Sequence, residues 1–145
     1  MRKCSAVRRT DLNVRRALLV VVALSFATVD LVHKLIHDAE FHHDRSSFTV
    51  FVIAGVVVAL AVLVPRIPSN VAALGAGIAC GGALGNLISL LAWSEGVPDP
   101  IVVYGDMYGI AFNLADVFAL AGDALLLSAA VVHGVRHRGR LRERI

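Results

Sequence analysis

The run AFNLADVFALAGDALLL, residues 111 to 127, is apolar enough for lipid yet carries Asn113, Asp116 and Asp123. A carboxyl at the centre of a membrane-spanning helix costs roughly 2.5 to 3.5 kcal/mol on insertion scales, so each needs a partner or a use. Asn113 and Asp116 stand at i and i+3, on one helix face. At a helix start they would also be good capping residues, because a side-chain oxygen satisfies free backbone N–H groups and an acid suits the positive end of the helix dipole. Asp30 and Lys34 stand at i and i+4, where opposite charges offset the cost of burying either. Two carboxyls sharing a half-wet site repel each other, so that one keeps its proton while the other ionises. The ionised member can take a proton from water as the protonated member polarises a carbonyl, which is the chemistry of peptide hydrolysis by paired aspartates.

The elements that must hold these residues are membrane-spanning helices. The chain has 145 residues, 57% hydrophobic and 17% charged, with a mean hydropathy of +0.74, against roughly 45 to 50% apolar residues in a soluble domain. Windows over 17–36, 48–64, 71–93 and 110–132 approach or exceed the span of about 20 residues that crosses a hydrocarbon core. The expected fold is therefore an all-α membrane protein, one domain over 1–145, made of a four-helix bundle with short outer loops. Arg2, Lys3, Arg8, Arg9, Arg15 and Arg16 in the tail 1–16 precede the first span, and Arg136, Arg138, Arg140, Arg142 and Arg144 in the tail 133–145 follow the last. By the positive-inside rule both termini face the cytoplasm, which requires an even number of crossings. Arg66, in the turn PRIPSN, is a third inside marker, whereas the outer loops hold Arg45 and, at a helix end, Lys34. The basic residues thus follow the membrane and are no footprint for nucleic acid.

The first span reads as a retained anchor, since Asp30 and Lys34 break its apolar run and no small-x-small cleavage site follows. Cys4 and Cys80 fall in different compartments, so no disulfide or cysteine metal site is expected. Gly75, Gly77, Gly81, Gly82 and Gly85 give the third span a surface for close helix packing.

With this topology Asp30, Lys34, Asn86, Asn113 and Asp116 collect near the outer membrane face, and Asp99, in the loop between spans three and four, reaches the same level. His33, His37, His42 and His43, with neighbouring acids, keep a metal site or a small metal or proton transporter open as a second reading, although their spacing matches no defined metal motif. Asp123 lies seven residues beyond Asp116, about 10 Å deeper, and is expected to face the bundle as a neutral, hydrogen-bonded acid.

The segments VDLVHK, GGALGNLI, GVPDPI and AFNLAD, in this order, resemble the lipoprotein signal peptidase (signal peptidase II) family. That family's usual patterns are D-x-x-x-K in the first helix, GGALGNLIDR, a V-V-D-F-like loop segment and F-N-x-A-D. The resemblance implies an intramembrane aspartic endopeptidase of the bacterial cell membrane that removes signal peptides from diacylglyceryl-modified prolipoproteins, cutting before the lipidated cysteine. It implies Asp99 and Asp116 as the catalytic dyad, Asn86 and Asn113 as residues orienting dyad and substrate, and Asp30 with Lys34 as a structural polar pair. Its implied partners are the lipid-modified substrate and membrane lipids, and it implies no metal or other cofactor.

The chain departs from the family pattern at three places. Ser89 and Leu90 stand where the family has Asp-Arg, HDAEFHHDRSS is too short for the family's β-structured cradle and lacks its motif, and Pro98 and Pro100 bracket Asp99. A homologue that binds lipopeptides without cutting them is the alternative these departures leave open.

Overall fold

The computed structural model describes residues 2–44, 46–105 and 108–142, with side chains over 10–44, 46–105 and 108–136. Arg45, Asp106 and the side chains of Cys4 and of the outermost tail arginines lie outside the described residues. Four helices run α1 (Arg2–Ile36), α2 (Ser47–Leu63), α3 (Asn70–Ala92) and α4 (Leu114–Arg142), each with a segment long and apolar enough to cross a membrane.

Local chemistry sets the boundaries. Ser46 and Ser69 cap α2 and α3, their hydroxyls accepting from the N–H groups of Thr49 and Ala72 at 3.3 and 3.2 Å. Pro65 ends α2 in a single 3-10 turn, Val64–Arg66, because its ring cannot continue the α-helical ladder.

Helix α3 is the hub. Its membrane-spanning window is 61% buried, against 6% for α2, so α3 has protein on most sides while α2 presents Phe48, Phe51 and Val58 outward. Glycine makes the close approach available. At Gly82 a Cβ would fall on the carbonyl oxygen of Ala115 in α4, and at Gly77 one would stand 2.9 Å from the carbonyl oxygen of Leu19 in α1. The wedge of α1, α3 and α4 therefore owes its tightness to missing side chains, the usual basis of helix packing in lipid.

The loops differ from expectation. HDAEFHHDRSS contributes strand β1 (Phe41–His43), which pairs antiparallel with β2 (Val97–Asp99) in the register Phe41 to Asp99 and His43 to Val97. Strands β3 (Ile101–Tyr104) and β4 (Gly109–Phe112) form a separate hairpin. Residues 110–112, read from the sequence as the start of the fourth span, thus belong to β4, and α4 begins at Leu114. The first loop is long enough for a small strand after all, because only three residues pair. Pro98 is tolerated because β2 has a single partner strand.

Candidate active site

Asn113 precedes α4 and forms a reciprocal cap with its third residue. The Asp116 N–H donates to Asn113 Oδ1 at 3.2 Å, and the Asn113 N–H donates to Asp116 Oδ2 at 3.3 Å. Capping and site-building, alternatives in the sequence, are here one arrangement. Having used its oxygen on the helix, Asn113 turns its Nδ2 to Asp99 Oδ1 at 2.6 Å. One asparagine thereby bridges the two carboxylates, of which Asp99 is fully buried and Asp116 half-buried.

Behind this bridge lies a buried ion pair. Lys34 Nζ donates to Asp30 Oδ2 at 2.7 Å, to Asn86 Oδ1 at 2.8 Å and to Ser89 Oγ at 3.1 Å. Its three protons meet three acceptors, the condition under which burying an ammonium is tolerable. Asp30 Oδ1 accepts the Ala115 N–H at 2.8 Å, placing a carboxylate on the positive end of the α4 dipole. Asn86 passes the network on, donating from Nδ2 to Asp116 Oδ1 at 2.9 Å. Gly85 makes room for it, since a Cβ there would meet Asp30 Oδ2 at 2.5 Å.

All six residues singled out in the sequence, Asp30, Lys34, Asn86, Asp99, Asn113 and Asp116, therefore fall in one connected network at the end of the bundle opposite the basic tails. Two further members join it, Ser89 and His43, the second of which the sequence groups with the other histidines. Ser89, noted above only as a departure, also donates to the Gly85 carbonyl at 2.7 Å. It lies three residues after Asn86 on the same helix face, a spacing that marks it in retrospect. His43 hydrogen-bonds through Nδ1 to Asp99 Oδ2, and nothing local in the sequence signals that contact.

The histidines do not converge. His33 and His37 stack with ring centroids 4.3 Å apart, His42 stands 3.8 Å from Glu95, and His43 goes to Asp99. Among the described residues no group of three or more His, Cys, Asp or Glu is placed to hold a metal. Asp123 corrects the expectation made for it, since it is exposed on the outer surface of α4 while its neighbour Gly122 takes the contact with α3.

A groove of about 460 Å³ opens beside Asp99, between β1 and the β3–β4 hairpin, with Phe41, His43, Val102, Tyr104 and Ala111 among its walls. Fold and site together define a small multi-pass membrane protein with two bridged carboxylates at its buried polar end, joined to this groove through His43. Residues 33–132 match the model of the family described as signal peptidase (SPase) II, and the chain belongs to that family. A lipoprotein signal peptidase of Rhodopseudomonas palustris (strain ATCC BAA-98 / CGA009) is 35% identical over 80 residues, which cover 52% of this chain and 49% of that protein. The match thus spans about half the length of that relative.

Proposed function

We propose that the protein is an intramembrane aspartic endopeptidase that removes signal peptides from lipid-modified prolipoproteins, cutting before the lipidated cysteine. The observation that carries this reading is the Asn113 bridge between Asp99 and Asp116, which holds two carboxyls together in a chain of the signal peptidase II family. One carboxyl is expected to be ionised and its partner protonated. As water attacks the scissile carbonyl, the ionised member takes a proton from the water and the protonated member gives one to the carbonyl oxygen. When the tetrahedral species collapses, the C–N bond breaks. The leaving nitrogen takes the first carboxyl's proton, and the second carboxyl recovers its own from the hydroxyl, so the starting protonation returns. The groove walls of β1 and the hairpin offer apolar surface for the chain being cut, while the exposed apolar faces of the helices keep the site at the depth of an acyl anchor.

The test is the mass shift of a diacylglyceryl-modified prolipoprotein incubated with the purified full-length protein. Loss of the signal peptide with a new N-terminal lipidated cysteine is expected, and an unchanged substrate at high enzyme excess overturns the reading. The orientation is tested separately. Alkaline phosphatase fused after Ile145 should be inactive and an insertion near Arg45 active, and the reverse pattern would put the site on the wrong face for a translocated substrate.

A further inference from the structure

We propose that His43 is a third functional side chain of this site, a positioning residue that fixes Asp99 as the member of the pair that receives the proton of water. The proposal rests on the dyad reading above and assigns a role to a residue outside the motifs that define the family resemblance.

The backbone sets up the contact. In the β1–β2 register His43 faces Val97, so Asp99, two residues on, is its diagonal neighbour on the same face of the ribbon. The imidazole spans that diagonal with Nδ1 on Asp99 Oδ2. The other oxygen of Asp99 is taken by Asn113 Nδ2 at 2.6 Å. Each carboxylate oxygen therefore holds one donor and keeps a second lone pair, enough to accept a proton from water without turning. Among the described residues no other donor to Oδ2 is found. Asp99 is 1% exposed, so without His43 a buried carboxylate oxygen would lose its partner, an expensive loss. The imidazole itself is 62% exposed, its far edge in water and its near edge on a buried acid.

The pairing also accounts for two oddities of the chain. Pro98 and Pro100 stiffen the backbone on both sides of Asp99, which leaves the side-chain rotation as the freedom to be removed, and His43 removes it. The short first loop places its strand so that His43 reaches Asp99.

The atom that makes the contact chooses the test. Nδ1 lies where the amide nitrogen of asparagine would lie, so His43→Asn keeps the donor and His43→Ala removes it. For His43→Ala, kcat in prolipoprotein cleavage should fall about ten- to a hundredfold, less than the roughly hundred- to ten-thousandfold of an acid–base group itself because His43 acts through Asp99, with KM moving less than about twofold. His43→Asn should recover to within about threefold of the wild type. A His43→Ala enzyme as fast as wild type, or a His43→Asn enzyme as slow as His43→Ala, overturns the proposal. A second readout needs no cleavage: in 15N-histidine NMR of the full-length protein in micelles, the downfield Nδ1 proton of His43 should shift upfield in Asp99→Asn. An unmoved signal also overturns it. If the wild type cleaves nothing, the peptidase reading falls, and the imidazole signal alone decides whether His43 holds Asp99.

Discussion

The two ends of the α1–α3–α4 wedge are built from the same small-residue packing and put it to different uses. At the end bearing the basic tails, Leu19, Val64, Ala72 and Ala76 form a dry core flanked by Leu60 and Leu126, and Arg15 Nε donates to the Pro65 carbonyl at 2.8 Å. A groove of about 580 Å³ opens there, between Ser69, Leu125, Ala129 and Arg136, larger than the one lined by Phe41 and His43 and far from the polar network. At the opposite end the close approach of the helices encloses an ammonium, three carboxylates, two asparagines and a serine. Cavity size is thus a poor guide to chemistry in this molecule. What separates the ends is which groups the tight packing forces to satisfy one another.

That contrast can be broken at either end, and the largest effect is expected at the carboxylates. Asp99→Asn and Asp116→Asn should each lower cleavage on the order of a thousandfold or more while leaving membrane insertion intact, and the double variant should cost little beyond either single one, because the two act as a unit. Additive losses in the mass-shift assay would mean that they do not share one step. Next comes the ion pair. Lys34→Met strands Asp30 without its charge partner, and removing one member of a buried pair costs about 3–5 kcal/mol, so the Tm in detergent should drop steeply. Replacing Asp30 as well, with Leu, should recover much of that loss, and a double variant less stable than Lys34→Met would contradict the pairing.

The end bearing the basic tails should answer differently. Leu19→Ala should lower stability by about 2–3 kcal/mol through an unfilled cavity, yet cleavage per folded molecule should stay within twofold of the wild type. A selective loss of activity there would show that the ends are coupled. The smallest effect is expected at Asp123, whose exposed side chain has no role in the network. Asp123→Asn should change neither Tm nor rate measurably. In the proposed mechanism water and the carboxyl pair carry the reaction, so chelators should likewise leave cleavage unchanged, and a loss restored by zinc would reopen the metal reading.

How much of this the sequence carries follows from how local each signal is. The helices are legible because hydropathy over about 20 residues is a sum that neighbours cannot disguise. Asp30 with Lys34, and Asn113 with Asp116, are legible because helical spacing puts each pair on one face. Strand β1 was missed because three residues alternate too briefly to register as a period, and its partner lies more than fifty residues away in another loop. His43 was drawn into a histidine cluster for the same reason: only the register of that non-local pairing shows that it belongs to Asp99. Asp123 was turned the wrong way because seven residues is two helical turns in name, while the face actually buried on α4 is set by where Gly122 meets Ala79.

The bond between Asp30 and Lys34 also bears on biosynthesis. Helix α1 leaves the ribosome ahead of α3 and α4, before any of their residues exists to receive its polar side chains. An aspartate and a lysine one turn apart on the same helix neutralise each other within the segment that carries them, so the part of α1 beyond Arg16 can partition into lipid as a nearly uncharged passenger. Only when α3 and α4 arrive do Asn86, Ser89 and the Ala115 N–H take up the donors and acceptors held in waiting. The pair is then both a ticket into the bilayer and a docking address within it, and a late helix inserted in the wrong register would find no acceptors for it.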